Sequence, residues 1–249
     1  MRWKGRKESS NVEDRRGMSP KGKGIVGGGI GTIAIALVVL LLGGDPTSII
    51  QNVQSTDQST GSNYTETAED KELAQFVGVV LAETESVWHA LFKEEGSTYR
   101  EPKLVLFSGQ VQSACGVAGA STGPFYCPGD EKLYIDLSFY DELQKRFKAP
   151  GDFAMAYVIA HEVGHHIQNL TGVMDKMNKL RSQLSEEEYN KYSVRVELQA
   201  DFYAGIWAHY TEQQALLESG DLEEALNAAS AVGDDNIQKQ AQGYVVPES

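Results

Sequence analysis

Two histidines four residues apart with a glutamate between them, His161-Glu162-Val163-Gly164-His165, are the residues of this chain whose types and spacing most directly allow chemistry. Positions four apart on a helix share a face. Both imidazoles can therefore grip one metal ion, while Glu162 points alongside toward a water that the metal holds. A catalytic zinc takes three protein ligands and keeps a fourth position for water, so one more ligand is required. Glu197 and Asp201, again four apart, sit in an otherwise apolar segment containing Val194, Val196, Leu198, Ala200, Phe202 and Ala204. Two carboxylates on such a helix are costly unless something positive neutralises them, and a zinc ion does so. Glu197 is the expected third ligand, and Asp201 the expected acceptor that fixes the ring of a liganding histidine. The plain alternative is a solvent-facing acidic pair bridged to Arg195 or Lys191. Tyr203, His209 and Tyr210 follow on the same helix and are candidates to stabilise charge developing on the substrate oxygen. His166 lies about 100° round from His165 and is expected to be a hydrogen-bonding neighbour. The expected reaction is peptide-bond hydrolysis with one zinc per chain and Glu162 as general base.

These residues need rigid carriers. After Pro150-Gly151, Asp152 can cap a helix running through FAMAYVIAHEVGHHIQNL to Gly172. Helical spacing also recurs from Leu73 to Phe92, from about Asp175 to Leu184, from Val194 to Leu217, and from Leu222 to Val232, the last with Asp221 and Glu224 as a capping box. Lys103 to Phe107 and Leu133 to Leu137 are short β-branched and aromatic runs that read as strands, the second being the expected edge against which an extended substrate pairs. Cys115 and Cys127 lie 12 apart in the Gly-rich stretch between them. A disulfide is favoured over two buried thiols, and two cysteines without a CxxC pair make a poor zinc site.

The chain has 249 residues, 41% of them hydrophobic and 23% charged, enough apolar material for a real core. Its net charge of −13 is lopsided, because the first 23 residues hold eight Lys and Arg against three Asp and Glu. The remainder is strongly acidic, which argues against nucleic acid as a partner. Gly24 to Gly44 is a run of 21 residues without a charge, long enough as a helix to span bilayer hydrocarbon. The competing readings, a buried helix and a cleaved signal peptide, are weakened by the glycine-rich start and by the lack of a small-x-small cleavage site. The expected organisation is a basic cytoplasmic arm over 1–23, a transmembrane helix over 24–44, a flexible linker over 45–69 and a folded domain over 70–249. The positive-inside rule then puts the N-terminus in the cytoplasm and the domain outside the inner membrane, as a single-pass protein.

The segments SACG, GPFYCPGDEKLYIDLSFY, GDFAMAYVIAHEVGHHIQ, SVRVELQADFYAGIWAH and GDLEEALNAASAVGDD resemble a known family, the bacterial membrane-anchored predicted neutral zinc metallopeptidases, over most of the chain. The resemblance implies an α+β, zincin-like metallopeptidase domain, mostly helical with a small sheet. It also implies His161, His165 and Glu197 as zinc ligands, Glu162 as general base, and a peptide or protein substrate. Family members continue past a GYVVPES-like stretch with a further Ser-, Thr-, His- and Arg-containing segment, which is expected to be missing beyond Ser249. Two other classes compete with a zinc endopeptidase. One is a zincin-fold scaffold or binding protein of the cell envelope, which would have no need of Glu162. The other is a purely structural zinc, which would call for a fourth ligand such as His166 or His209.

Overall fold

The computed structural model describes residues 1–18 and 64–232. The uncharged run at 24–44 and most of the expected linker lie outside the described residues, as does 233–249. Among the described residues no helix is long and apolar enough to cross a membrane.

A short strand, β1 (Val12–Asp14), is followed by the long helix α1 (Ala68–Glu94). Next come β2 (Lys103–Phe107), the hairpin strands β3 (Gln110–Ser113) and β4 (Gly116–Gly119), a 3-10 turn over Ala120–Thr122, then β5 (Phe125–Cys127) and β6 (Lys132–Asp136). The rest is helical: α2 (Ser138–Lys145), α3 (Asp152–Leu170), α4 (Val173–Arg181), α5 (Glu186–Gln213) and α6 (Asp221–Val232). The fold is α+β and mostly helical, as expected.

The main sheet has the order β1-β2-β6-β5, with β1, β2 and β6 parallel and β5 antiparallel to β6. Leu104, Leu106, Leu133 and Ile135 join the principal core with α1 and α3. Val105, Phe107 and Tyr134 form a second cluster with Val111 and Cys127. Burial on both faces explains why β2 and β6 read as continuous apolar runs rather than as alternation. It also corrects one expectation. Leu133 to Leu137 is no edge, because β6 lies between β2 and β5; the edge strands of this sheet are β1 and β5.

Two helix starts differ from expectation. Asp152 is the first residue of α3 rather than its cap, and the backbone N–H of Phe153 donates instead to Glu224 at 3.0 Å. Glu224 is thereby withdrawn from a capping box with Asp221. Gly151 adopts φ 118°, a conformation that strains any L side chain, and a Cβ there would displace the Glu224 carboxylate. Phe153, Ala154, Met155, Ile159 and Val163 make α3 the buried hub, and Phe153 stacks on Trp207 of α5. A disulfide joins Cys115 to Cys127, tying the β3–β4 hairpin to β5.

The separate basic arm expected over 1–23 is also corrected, because Met1–Arg16 belongs to the same compact unit as the helical body. β1 extends the sheet with Val12 opposite Leu104 and Asp14 opposite Leu106, and Trp3 packs edge-on against Phe76. The buried Met1 ammonium lies 2.6 Å from Asp152, 3.3 Å from Asp221 and 3.4 Å from Glu218. The physical reason is that arm charges are matched by body carboxylates and its apolar residues by core positions, patterns invisible to local composition.

Glu13 of β1 accepts from Arg15 at 2.5 Å and from Lys132 at 3.0 Å. Burial raises its pKa, but these hydrogen bonds outweigh it and pull the carboxyl from 4.5 down to about 2. A lowered native pKa gives a contribution fully present above the unfolded value and lost as pH falls through the native one. Glu13→Gln should therefore cost about 1–2 kcal/mol at pH 7, after allowance for solvent screening. The gap between the urea midpoints of wild type and variant should close as pH falls from about 4.5 to about 2. Equal midpoints at pH 7 would show that this cluster does not hold β1.

Candidate metal centre

His161 and His165 sit one turn apart on α3, their rings perpendicular with centroids 4.8 Å apart. Opposite them α5 presents Glu197, whose Oε2 is 3.3 Å from His161 Nε2 and 3.5 Å from His165 Nε2. One ligand atom from each of the three residues falls in a cluster no wider than 4.8 Å. The half-exposed Glu197 leaves the cluster open on one side.

Each imidazole is held from behind. His161 Nδ1–H donates to Asp201 Oδ1 at 2.8 Å, and Asp201 also accepts from the Tyr157 hydroxyl. His165 Nδ1–H donates to Gln168 Oε1 at 2.9 Å, and the Gln168 amide donates to the Val196 carbonyl at 2.6 Å and to Gln199 at 3.1 Å. With both Nδ1 atoms engaged from behind, both Nε2 atoms face Glu197, and exchange of the Nε2 protons for a divalent cation would leave the tautomer that the cation needs. A donor set of two imidazole nitrogens and one carboxylate oxygen suits zinc. The residues therefore fit the ion.

The electrostatics agree. Burial lowers the pKa of His161, but hydrogen bonds to Asp201 and Glu197 outweigh it and lift it to about 10. His165 is raised by Glu197 and Glu162 against the same burial. Burial raises the Glu197 carboxyl, and its bonds to the two histidines drive it well below the usual carboxylate range. The field that would hold a proton on His161 is the one that attracts a dication.

Helix approach makes this possible. A Cβ on Gly164 would stand 2.9 Å from the Ala200 carbonyl oxygen and 3.0 Å from its Cα, so α3 and α5 meet backbone to backbone inside the HExxH segment. Glu162, nearly buried, lines a cavity of about 190 Å³ together with His161, Tyr157 and Val158 of α3. Phe139, Phe147, Gly123 and Pro124 supply other walls.

The other candidates fall elsewhere. His166 is fully buried and structural, its Nε2–H donating to the Arg100 carbonyl at 2.6 Å while Nδ1 accepts from the Tyr126 hydroxyl at 3.0 Å. Tyr203 packs edge-on against Trp88. His209 is exposed beside Gln213, about 18 Å along α5 from Glu197 at the usual helical rise. His209 is not part of the candidate metal-ligating cluster. Tyr157 and Gln168 were missed, although Tyr157, His161, His165 and Gln168 share one α3 face at spacings of four, four and three.

Two imidazoles and a carboxylate converging from two packed helices make a candidate metal centre. The chain belongs to the family described as "Putative neutral zinc metallopeptidase", whose model matches residues 1–249. It is 48% identical over its whole length to the uncharacterized protein YpfJ of Escherichia coli K12, covering 89% of that protein. It is 38% identical over 84% of its length to the uncharacterized protein Rv2575 of Mycobacterium tuberculosis H37Rv, covering 75% of that relative. No solved structure matches.

Gly164→Ala should force α3 and α5 apart, costing about 1–3 kcal/mol of stability and weakening zinc binding. A variant with the wild-type melting temperature and zinc affinity would show that the close approach is dispensable. Gln168→Ala should lower zinc affinity by roughly 10–100-fold, as removal of a ligand-orienting partner generally does. Competition against a chromogenic chelator measures it, and unchanged affinity would remove Gln168 from the centre.

Proposed function

We propose that this chain is a zinc-dependent endopeptidase in which His161, His165 and Glu197 hold one zinc ion and Glu162 is the general base. The observation that carries this reading is the convergence of both Nε2 atoms on one Glu197 oxygen, with Glu162 lining the adjoining cavity. When bound, zinc supplies Lewis acidity that polarises the scissile carbonyl and makes a water acidic near neutral pH.

The protein groups divide the remaining work. The Glu162 carboxylate takes the proton of the attacking water and delivers it to the departing amine. Asp201 keeps the His161 ring oriented and balances positive charge behind it, and Gln168 does the same for His165 without adding charge. An extended peptide pairs with the free edge of β5, since β6 is enclosed, and that course leads past Gly123 and Pro124 to the cavity. There a bulky apolar side chain packs between Phe139, Phe147 and Val158. A scaffold role would leave Glu162 beside His161 without purpose, and a structural zinc would want the fourth ligand that neither His166 nor His209 offers from its position.

The test uses the full chain, because β1 belongs to the sheet. Wild type should carry about one zinc per chain and cleave an unstructured protein substrate in a chelator-sensitive way. Glu162→Gln should keep the zinc and lose at least about 10²-fold in kcat/KM. Glu197→Ala should lose the metal itself. Full turnover by Glu162→Gln would refute the assignment of the base, and unchanged zinc in Glu197→Ala would refute the ligand set.

A further inference from the structure

The two imidazoles are backed by supports of different kinds. His165 Nδ1–H donates to the neutral Gln168 amide, and Gln168 is fixed in turn by its own bonds to the Val196 carbonyl and to Gln199. His161 Nδ1–H donates instead to a carboxylate on the facing helix, Asp201, whose side chain is 42% exposed. A carboxylate so open to water can turn to other donors. It orients the His161 ring only if something else holds it in place.

Among the described residues the second donor to Asp201 is the Tyr157 hydroxyl, and it reaches Oδ1, the oxygen that His161 Nδ1–H also uses. Tyr157 precedes His161 by one turn on the same face of α3, and at 8% exposure its ring is part of the principal core. The hydroxyl is therefore brought to Asp201 by a side chain with little freedom of its own. Burial and the adjoining carboxylate both push the Tyr157 pKa up, so the hydroxyl keeps the proton it donates. The same ring lines the cavity beside Glu162. Removing the whole side chain would open that wall, whereas Tyr157→Phe takes away the donor alone.

We propose that Tyr157 is a positioning residue of the metal centre, its hydroxyl pinning Asp201 Oδ1 where that oxygen holds the His161 ring toward Glu197. The proposal rests on the ligand set His161, His165 and Glu197 and is independent of peptide hydrolysis. Tyr157 does for Asp201 what the Val196 carbonyl and Gln199 do for Gln168. An orienting partner of a liganding histidine is generally worth about 10–100-fold in metal affinity, and a group one bond further out should supply a part of that, roughly 3–10-fold.

The experiment is a double-mutant cycle on the full chain, read as zinc affinity by competition against a chromogenic chelator. Its members are wild type, Tyr157→Phe, Asp201→Ala and the double variant. Tyr157→Phe should bind zinc roughly 3–10-fold more weakly than wild type, and Asp201→Ala about 10–100-fold more weakly. The double variant should bind as Asp201→Ala does, because the hydroxyl no longer has the oxygen it pins. A hydroxyl that merely supported the fold would lower the melting temperature of the metal-free chain and add the same loss of affinity in both backgrounds. That result, or wild-type affinity in Tyr157→Phe, would overturn the proposal. Glu197→Ala in the same assay keeps the two readings apart: unchanged affinity there would refute the ligand set, whereas its loss, with Tyr157→Phe like wild type, would refute the role of Tyr157 alone.

Discussion

Helices α3 and α5 touch at Gly164 and Ala200 with no side chain between them, and the site's geometry depends on that contact. Two histidines on one helix face can present nitrogens to a common point, but a third ligand must come from another element. Glu197 is a short-reaching carboxylate on a helix whose axis has to come close. The contact also lets Gln168 reach across to the Val196 carbonyl and brings Asp201 behind His161. A single interhelical distance thus sets the candidate triad of His161, His165 and Glu197 and the bonds that orient it. The packing of Phe153 on Trp207, further along the same pair, helps hold that distance.

Much of this site was legible because helical periodicity is a strong local rule. His161, His165, Glu197 and Asp201 all obey the four-residue spacing, and neutralising buried carboxylates is a physical demand a sequence reveals. Tyr157 and Gln168 obey the same spacing and were readable in principle, yet nothing in a lone tyrosine or glutamine announces a role until its acceptor is known. Tyr203 and His209 show the reverse. Their chemistry suits an active site, but His209 lies about 18 Å along the helix from Glu197 at the usual rise, and Tyr203 packs on Trp88.

The fold was legible where one element suffices and obscure where partners decide. α1 and α3 declare themselves through apolar periodicity, while α2, only eight residues long, has little to mark it. β1 is three residues, Val-Glu-Asp, with no strand signature of its own; it is a strand because β2 offers an unpaired edge and Lys132 lies within reach of Glu13. The capping of α3 by Glu224, 71 residues away, is long-range in the same sense. Glu224 also has the spacing of a local capping box, and the tertiary contact prevails because Gly151 leaves room for its carboxylate.

The bond between Cys115 and Cys127 closes a loop that contains β4, the 3-10 turn and the Gly123–Pro124 wall of the cavity. A loop of this kind would ordinarily have to be ordered by whatever binds against it, with the entropy loss subtracted from affinity. Here the covalent tie removes most of that freedom before a ligand arrives. On the proposed peptide path, recognition along this wall is coupled to the thiol chemistry of the surroundings: under reducing conditions the wall would loosen and a peptide there would bind less tightly, although no residue that meets it had changed.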